Sequence, residues 1–152
     1  MSKHVGAKTR TILLVEDNPD HAELIVRGLM DHQVASRIFH VRDGETALDY
    51  LFRRSEYRDP ERSPSPHLIL LDLRLPRIDG LEVLKQIKAR EDLRPIPVVI
   101  LTTSEAEKDV ELAYDHHVNS CLVKPRGFDD LTRMMGDLGR YRLGWNHLPR
   151  SC

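Results

Sequence analysis

From residue 67 the chain reads His67-Leu68-Ile69-Leu70-Leu71-Asp72-Leu73-Arg74-Leu75-Pro76-Arg77-Ile78-Asp79-Gly80. Residues 68–71 form an unbroken apolar run with no polar alternation. That is the pattern of a strand buried on both faces, in a parallel sheet with helices on either side. Asp72 ends the strand at its carboxyl end, where open α/β sheets place their ligand sites. Pro76 and the Asp79-Gly80 pair then turn the chain before a helical pattern begins at Leu81. An isolated aspartate after a strand is ordinarily a turn former or a helix cap, so Asp72 gains meaning only from what accompanies it.

Three other segments have the same form. Ile12-Leu13-Leu14-Val15 is followed by Glu16-Asp17-Asn18-Pro19, an apolar strand with acids at its carboxyl end. Val98-Val99-Ile100-Leu101 is followed by Thr102-Thr103-Ser104, and Cys121-Leu122-Val123 by Lys124-Pro125. Four strand ends thus supply three acids, a hydroxyl and an ammonium group. In this order, over residues 11–138, the set resembles the receiver domain of bacterial response regulators. By motif match Asp72 takes the place of the phosphoacceptor aspartate and Glu16 with Asp17 that of the acidic pair. Thr102 corresponds to the switch hydroxyl, and Lys124, followed by Pro125, to the family's lysine.

The rest of the chain alternates strand and helix, as a parallel sheet requires. Residues 10–15 read as the first strand; Asn18 offers an N-cap, Pro19 fits the first helical position, and Ala22, Ile25, Val26 and Leu29 line one helical face. Residues 37–41 are a short second strand, and Asp43 caps a helix with Ala47, Leu48, Leu51 and Phe52 on its apolar side. Leu81, Leu84 and Ile87 mark a third helix, Pro97 the entry to the fourth strand, and residues 105–114 a mostly polar fourth helix. Residues 119–123 are the fifth strand, and Phe128, Leu131, Met134, Met135 and Leu138 the apolar side of a final helix. Five strands and five helices fit a flavodoxin-like doubly wound α/β fold of strand order 2-1-3-4-5.

Residues 53–66 contain three prolines, many charges and almost no apolar side chain. Connections in α/β units usually take roughly 2–6 residues, so this one reads as a long surface loop that is either mobile or used for contacts, with mobility the favoured reading. Residues 1–9 read as a flexible lead-in, 10–139 as the receiver domain, and 140–152 as a tail. The tail holds Tyr141, Leu143, Trp145 and Leu148, which are expected to pack on their own domain or on a second copy.

Composition narrows the function classes. The 152 residues include 23 Lys and Arg against 24 Asp and Glu, for a net charge of −1, without the basic patch or arm that nucleic-acid binding calls for. No segment is long and apolar enough for a membrane span, and residues 1–10 lack the apolar core of a signal peptide, so a cytoplasmic location is expected. Cys121 and Cys152 have no metal-ligand spacing. His116 and His117 are adjacent, and neighbours on a helix point in different directions, so they do not converge on one ion.

A carboxylate attacking phosphorus forms an aspartyl-phosphate and splits a difficult transfer into two steps. The arriving group is negative and meets Glu16, Asp17 and Asp72, so a cation must sit among them. Mg²⁺ suits such a site, as a hard ion that takes one or two carboxylates and accepts phosphate oxygen. The resemblance implies that Asp17, Asp72 and the backbone carbonyl of Arg74 bind it directly, and Glu16 through water. It implies that Lys124 and Thr102 hold phosphoryl oxygens, with Thr103, Pro125 and Cys121 as modulating positions. Cys121 stands where much of the family has an aromatic residue that follows the threonine inward, which puts that relay in doubt.

The implied function is a stand-alone receiver that takes a phosphoryl group from a sensor histidine kinase and switches a binding surface, without turnover of an external substrate. The long loop, the Leu101-Thr102-Thr103-Ser104 run and the aromatic tail are similar to regulators that partner phytochrome-type kinases, often homodimers. The expected dimer surface is the fourth-helix, fifth-strand and fifth-helix face with the tail. Two readings compete: a receiver that binds a partner without phosphorylation, and a Mg²⁺-dependent phosphatase with an aspartate nucleophile. The phosphatase calls for a second acid two residues after the nucleophile, where Arg74 stands. A flavin module calls for a phosphate cradle where Glu16 and Asp17 would repel it.

Overall fold

The computed structural model describes residues 10–34, 37–103, 120–125 and 127–138. The lead-in over 1–9, the expected fourth helix over 105–114 and the tail over 140–152 lie outside them. Five strands form one parallel sheet: β1 Thr11–Val15, β2 Arg37–Val41, β3 Leu68–Asp72, β4 Val98–Thr102 and β5 Ser120–Val123, in the order β2-β1-β3-β4-β5. The described helices are α1 Pro19–Asp31, α2 Gly44–Leu51, α3 Gly80–Ala89 and the C-terminal α4 Phe128–Asp137.

The apolar runs become central strands because both their faces are covered. Side chains alternate across a strand. Leu13, Val15, Ile69 and Leu71 therefore pack with Ala47, Leu48, Val83, Leu84 and Ile87 of α2 and α3. Ile12, Leu14, Leu68 and Leu70 pack with Ile25 and Leu29 of α1 and with Leu131 and Met135 of α4 on the other face. Each fully buried leucine or isoleucine contributes about 1.5–3 kcal/mol. Turn residues set where the helices begin. Asn18 Oδ1 accepts from the Asp20 and His21 amides at 2.9 and 3.1 Å, Asp43 Oδ1 from Thr46 at 2.7 Å, and Asp79 Oδ1 from Glu82 at 3.0 Å. Such caps are worth about 1 kcal/mol each.

Two expectations need correction. Phe128 is 68% exposed and does not belong to the buried side of its helix; it is the first residue of α4, and the buried stripe begins with Leu131. The 53–66 segment is a tethered loop and not an unstructured one. It contains a short 3-10 turn, Ser55–Tyr57, and the Tyr57 ring packs at a tilt against Tyr50 of α2 with ring centres 5.3 Å apart. The Tyr50 hydroxyl donates to the Pro64 carbonyl at 2.7 Å, and the Arg53 guanidinium to Ser63 O at 3.0 Å and Ser65 Oγ at 3.1 Å. Arg53 and Ser55 take φ 57° and 56°, a left-handed conformation that persists only where the surroundings impose it. Composition marked the segment as polar, and polarity here supplies tethers.

Candidate functional site

The sheet register brings the carboxyl ends of β1, β3 and β4 level, so that the residues that follow them share one edge. Val15 pairs with Leu71, and Asp72 with Leu101. Glu16 leaves β1 with its amide bonded to Val41 O at 3.0 Å and its own carbonyl accepting from His40 Nε2 at 2.7 Å. Its side chain turns inward and is buried, while Asp17 beside it is exposed. Asp72 is 6% exposed, and its Oδ1 accepts from the Arg74 amide at 2.9 Å. Gly80 makes this packing possible: a Cβ there would lie 2.3 Å from the Asp72 carbonyl oxygen. Only glycine lets α3 start directly against the strand end.

Lys124 reaches in from the end of β5, its amide donating to Thr102 O at 2.8 Å. Its ammonium group is buried and donates to a Glu16 oxygen, to Asp72 Oδ2 at 3.0 Å and to His21 Nδ1 at 3.2 Å. Thr102 is fully buried at the end of β4. Glu16, Asp17 and Asp72 each offer an oxygen within 4.8 Å of the others, and Asp17 lines an open crevice of about 350 Å³ with Arg74, Leu75, Pro76 and Asp79. Among the residues sequence reasoning proposed, the site therefore assembles Glu16, Asp17, Asp72 and Lys124, with Thr102 and Arg74 at its border.

Burial pushes the Glu16 carboxyl up from 4.5 to about 7; the Asp72 charge works in the same direction, while the Lys124 hydrogen bond and charge and the Asn18 amide oppose it. Burial, then the Lys124 charge, lowers the His21 imidazole below its ordinary value, so its neutral form is favoured. The ammonium is engaged by Glu16 and Asp72, and Asp17 beside them lines the crevice, which leaves an oxygen-rich edge there. That donor set fits a hard divalent cation such as Mg²⁺.

This acid, lysine and threonine arrangement at the carboxyl edge of a five-stranded parallel sheet has a family counterpart: residues 12–135 match the response regulator receiver domain. The chain belongs to that family. Receiver domains partner sensor histidine kinases and bind a divalent metal at their acidic pocket. The chain is 50% identical over 138 residues to a probable methanogenesis regulatory protein, FilR2, of Methanothrix harundinacea, covering 91% of this chain and 86% of that one. It is 43% identical to the response regulator Rcp1 of Synechocystis, covering 93% and 95%. The Mn²⁺-bound structure of Rcp1 superposes with a TM-score of 0.82 over 92% of this chain and 99% of that one. The phosphorylated cyanobacterial phytochrome response regulator RcpA, 39% identical, gives 0.85 over 93% and 99%.

Thr103, Pro125 and Cys121, the positions expected to modulate the switch, lie past the end of β4, past the end of β5 and within β5. Thr103 is exposed just past β4. Pro125 borders a groove with Leu122, Met134 and Leu138 at α4. Cys121, 4% exposed, fills the core on the α2 and α3 side, where an aromatic side chain would need more room. The residue that motif reading missed is His21. The available signal was its place in the first turn of the helix that follows the acidic pair, since that turn faces the same edge. No described helix is long and apolar enough to cross a membrane.

Proposed function

We propose that this receiver accepts a phosphoryl group on Asp72 from the phosphohistidine of a sensor histidine kinase, with Mg²⁺, and thereby switches a binding surface without turning over an external substrate. The observation that carries this reading is Asp72 at the end of β3, with the Lys124 ammonium 3.0 Å from Oδ2 and Glu16 and Asp17 close by. A carboxylate oxygen of Asp72 forms the new O–P bond as the N–P bond of the phosphohistidine breaks, and the electron pair leaves on that imidazole. Lys124 and the Thr102 hydroxyl hold phosphoryl oxygens as charge builds on them. Asp17, Asp72 and the Arg74 carbonyl would hold the metal, with Glu16 behind a water. Bound there, Mg²⁺ offsets the charge of the acids and of the arriving group. Thr102, drawn toward the phosphoryl oxygens, biases a pre-existing two-state equilibrium of the receiver.

The partner kinase on this reading is phytochrome-type, by likeness to the phytochrome response regulator RcpA, and the protein pairs with a second copy through the β5 and α4 side and the tail. The chemistry is tested by intact-protein mass after incubation with a small phosphodonor, with and without Mg²⁺. One phosphoryl adduct that needs Mg²⁺ and is absent from Asp72→Asn is the expected result. A folded wild type that gains no adduct rejects the proposal in favour of a receiver that binds partners without phosphorylation.

A further inference from the structure

Among the described residues, His21 is the one partner of Lys124 that the phosphoacceptor reading leaves without a task. A lysine ammonium has three N–H donors and no acceptor, so its 3.2 Å contact with His21 Nδ1 places the imidazole as acceptor, with its proton on Nε2. Among the described residues, the ammonium thus spends its three donors on Glu16, Asp72 and His21. A phosphoryl oxygen can be met only if one of these partners gives way. Glu16 and Asp72 meet the ammonium with carboxyl oxygens, and hydrogen bonds from an ammonium to the oxygens of an acid are the shorter and stronger ones. His21 lies farthest from the ammonium of the three. Distance and charge single out the same partner.

We propose that His21 is a positioning residue: it reserves one N–H of Lys124 for the phosphoryl group and gives it up when that group arrives. The inference rests on Asp72 as phosphoacceptor. His21 sits in the first turn of α1, directly after the acidic pair, and its backbone amide is fixed by the Asn18 cap at 3.1 Å. The ring is therefore carried on a capped helix start, so it can release Lys124 without moving the backbone. In the unphosphorylated protein the contact satisfies a buried donor that would otherwise lack a partner, a cost of the same order as a lost hydrogen bond.

The test uses the full chain with beryllium fluoride and Mg²⁺, beryllofluoride serving as a phosphoryl analogue on Asp72. Imidazole ¹⁵N spectra are recorded before and after addition, with His21 assigned from the His21→Leu spectrum. The His21 Nδ1 resonance is expected to move toward that of an imidazole nitrogen with no hydrogen bond. His21→Leu, which has no contact to break, is expected to bind beryllofluoride about fivefold more tightly, the worth of roughly one hydrogen bond. His21→Asn, whose amide oxygen still accepts, should bind as the wild type does. A loss of fold would appear in the thermal midpoints of the two variants, and the wild-type spectrum tests the release without either. Uptake with Nδ1 unchanged, or a His21→Leu variant that binds no more tightly, overturns the proposal alone. No uptake by the wild type overturns the phosphoacceptor reading together with it.

Discussion

Glu16 is the residue whose ionisation the fold alters most plainly. Its carboxyl, pushed from 4.5 to about 7 by burial, keeps in the folded protein a proton that the unfolded chain gives up between those values. Stability from this group is therefore fully present below about 4.5 and is lost as pH rises through about 7. In urea titrations at about pH 5 and about pH 8, the wild type is expected to lose on the order of 1–3 kcal/mol relative to Glu16→Gln, which has no such proton to shed. Parallel curves for the two proteins would show that Lys124 compensates the burial fully. The acidic pair itself was legible, since Glu16 and Asp17 directly follow an apolar strand. Their division into one buried and one exposed carboxylate was not, because that depends on Lys124, which arrives from 108 residues away.

At the scale of elements, the contact between α1 and α4 is set by backbone proximity. A Cβ on Gly28 would lie 2.7 Å from the Thr132 carbonyl oxygen and 2.8 Å from Met135 Cβ. Gly28→Ala should therefore force the helices apart and cost about 1–3 kcal/mol in urea denaturation, as overpacking does. A change below about 0.5 kcal/mol would mean that α4 yields freely. Helical periodicity showed which faces of α1 and α3 turn inward. It placed Phe128 wrongly, because a residue at a helix start shares the period of the buried side whether or not anything covers it. The 53–66 segment was misread for a related reason: composition measures how many polar groups a loop has, and not whether Tyr50 and Arg53 stand where those groups can bond.

For the molecule as a whole, β5 is a sheet edge, and Val123 at its end and Phe128 at the start of α4 are 40% and 68% exposed. Exposed apolar groups at a strand edge are the features that a second copy would cover. On the proposed pairing, light scattering is expected to give twice the chain mass in at least one phosphorylation state, and Phe128→Glu to lower it to that of one chain. A single-chain mass for the wild type in both states would exclude the pairing.

Local chemistry and pattern were enough to read the strands, their parallel arrangement, and the set of Asp72, Glu16, Asp17, Thr102 and Lys124. Apolar runs, caps and strand-end acids are short-range properties, written within a few neighbouring residues. Tertiary structure alone decided that Glu16 is buried, that Cys121 fills the core, that the polar loop is tethered to α2 and that His21 reaches Lys124. Each of these depends on which side chains meet across sheet register and helix packing, over separations that no local pattern records.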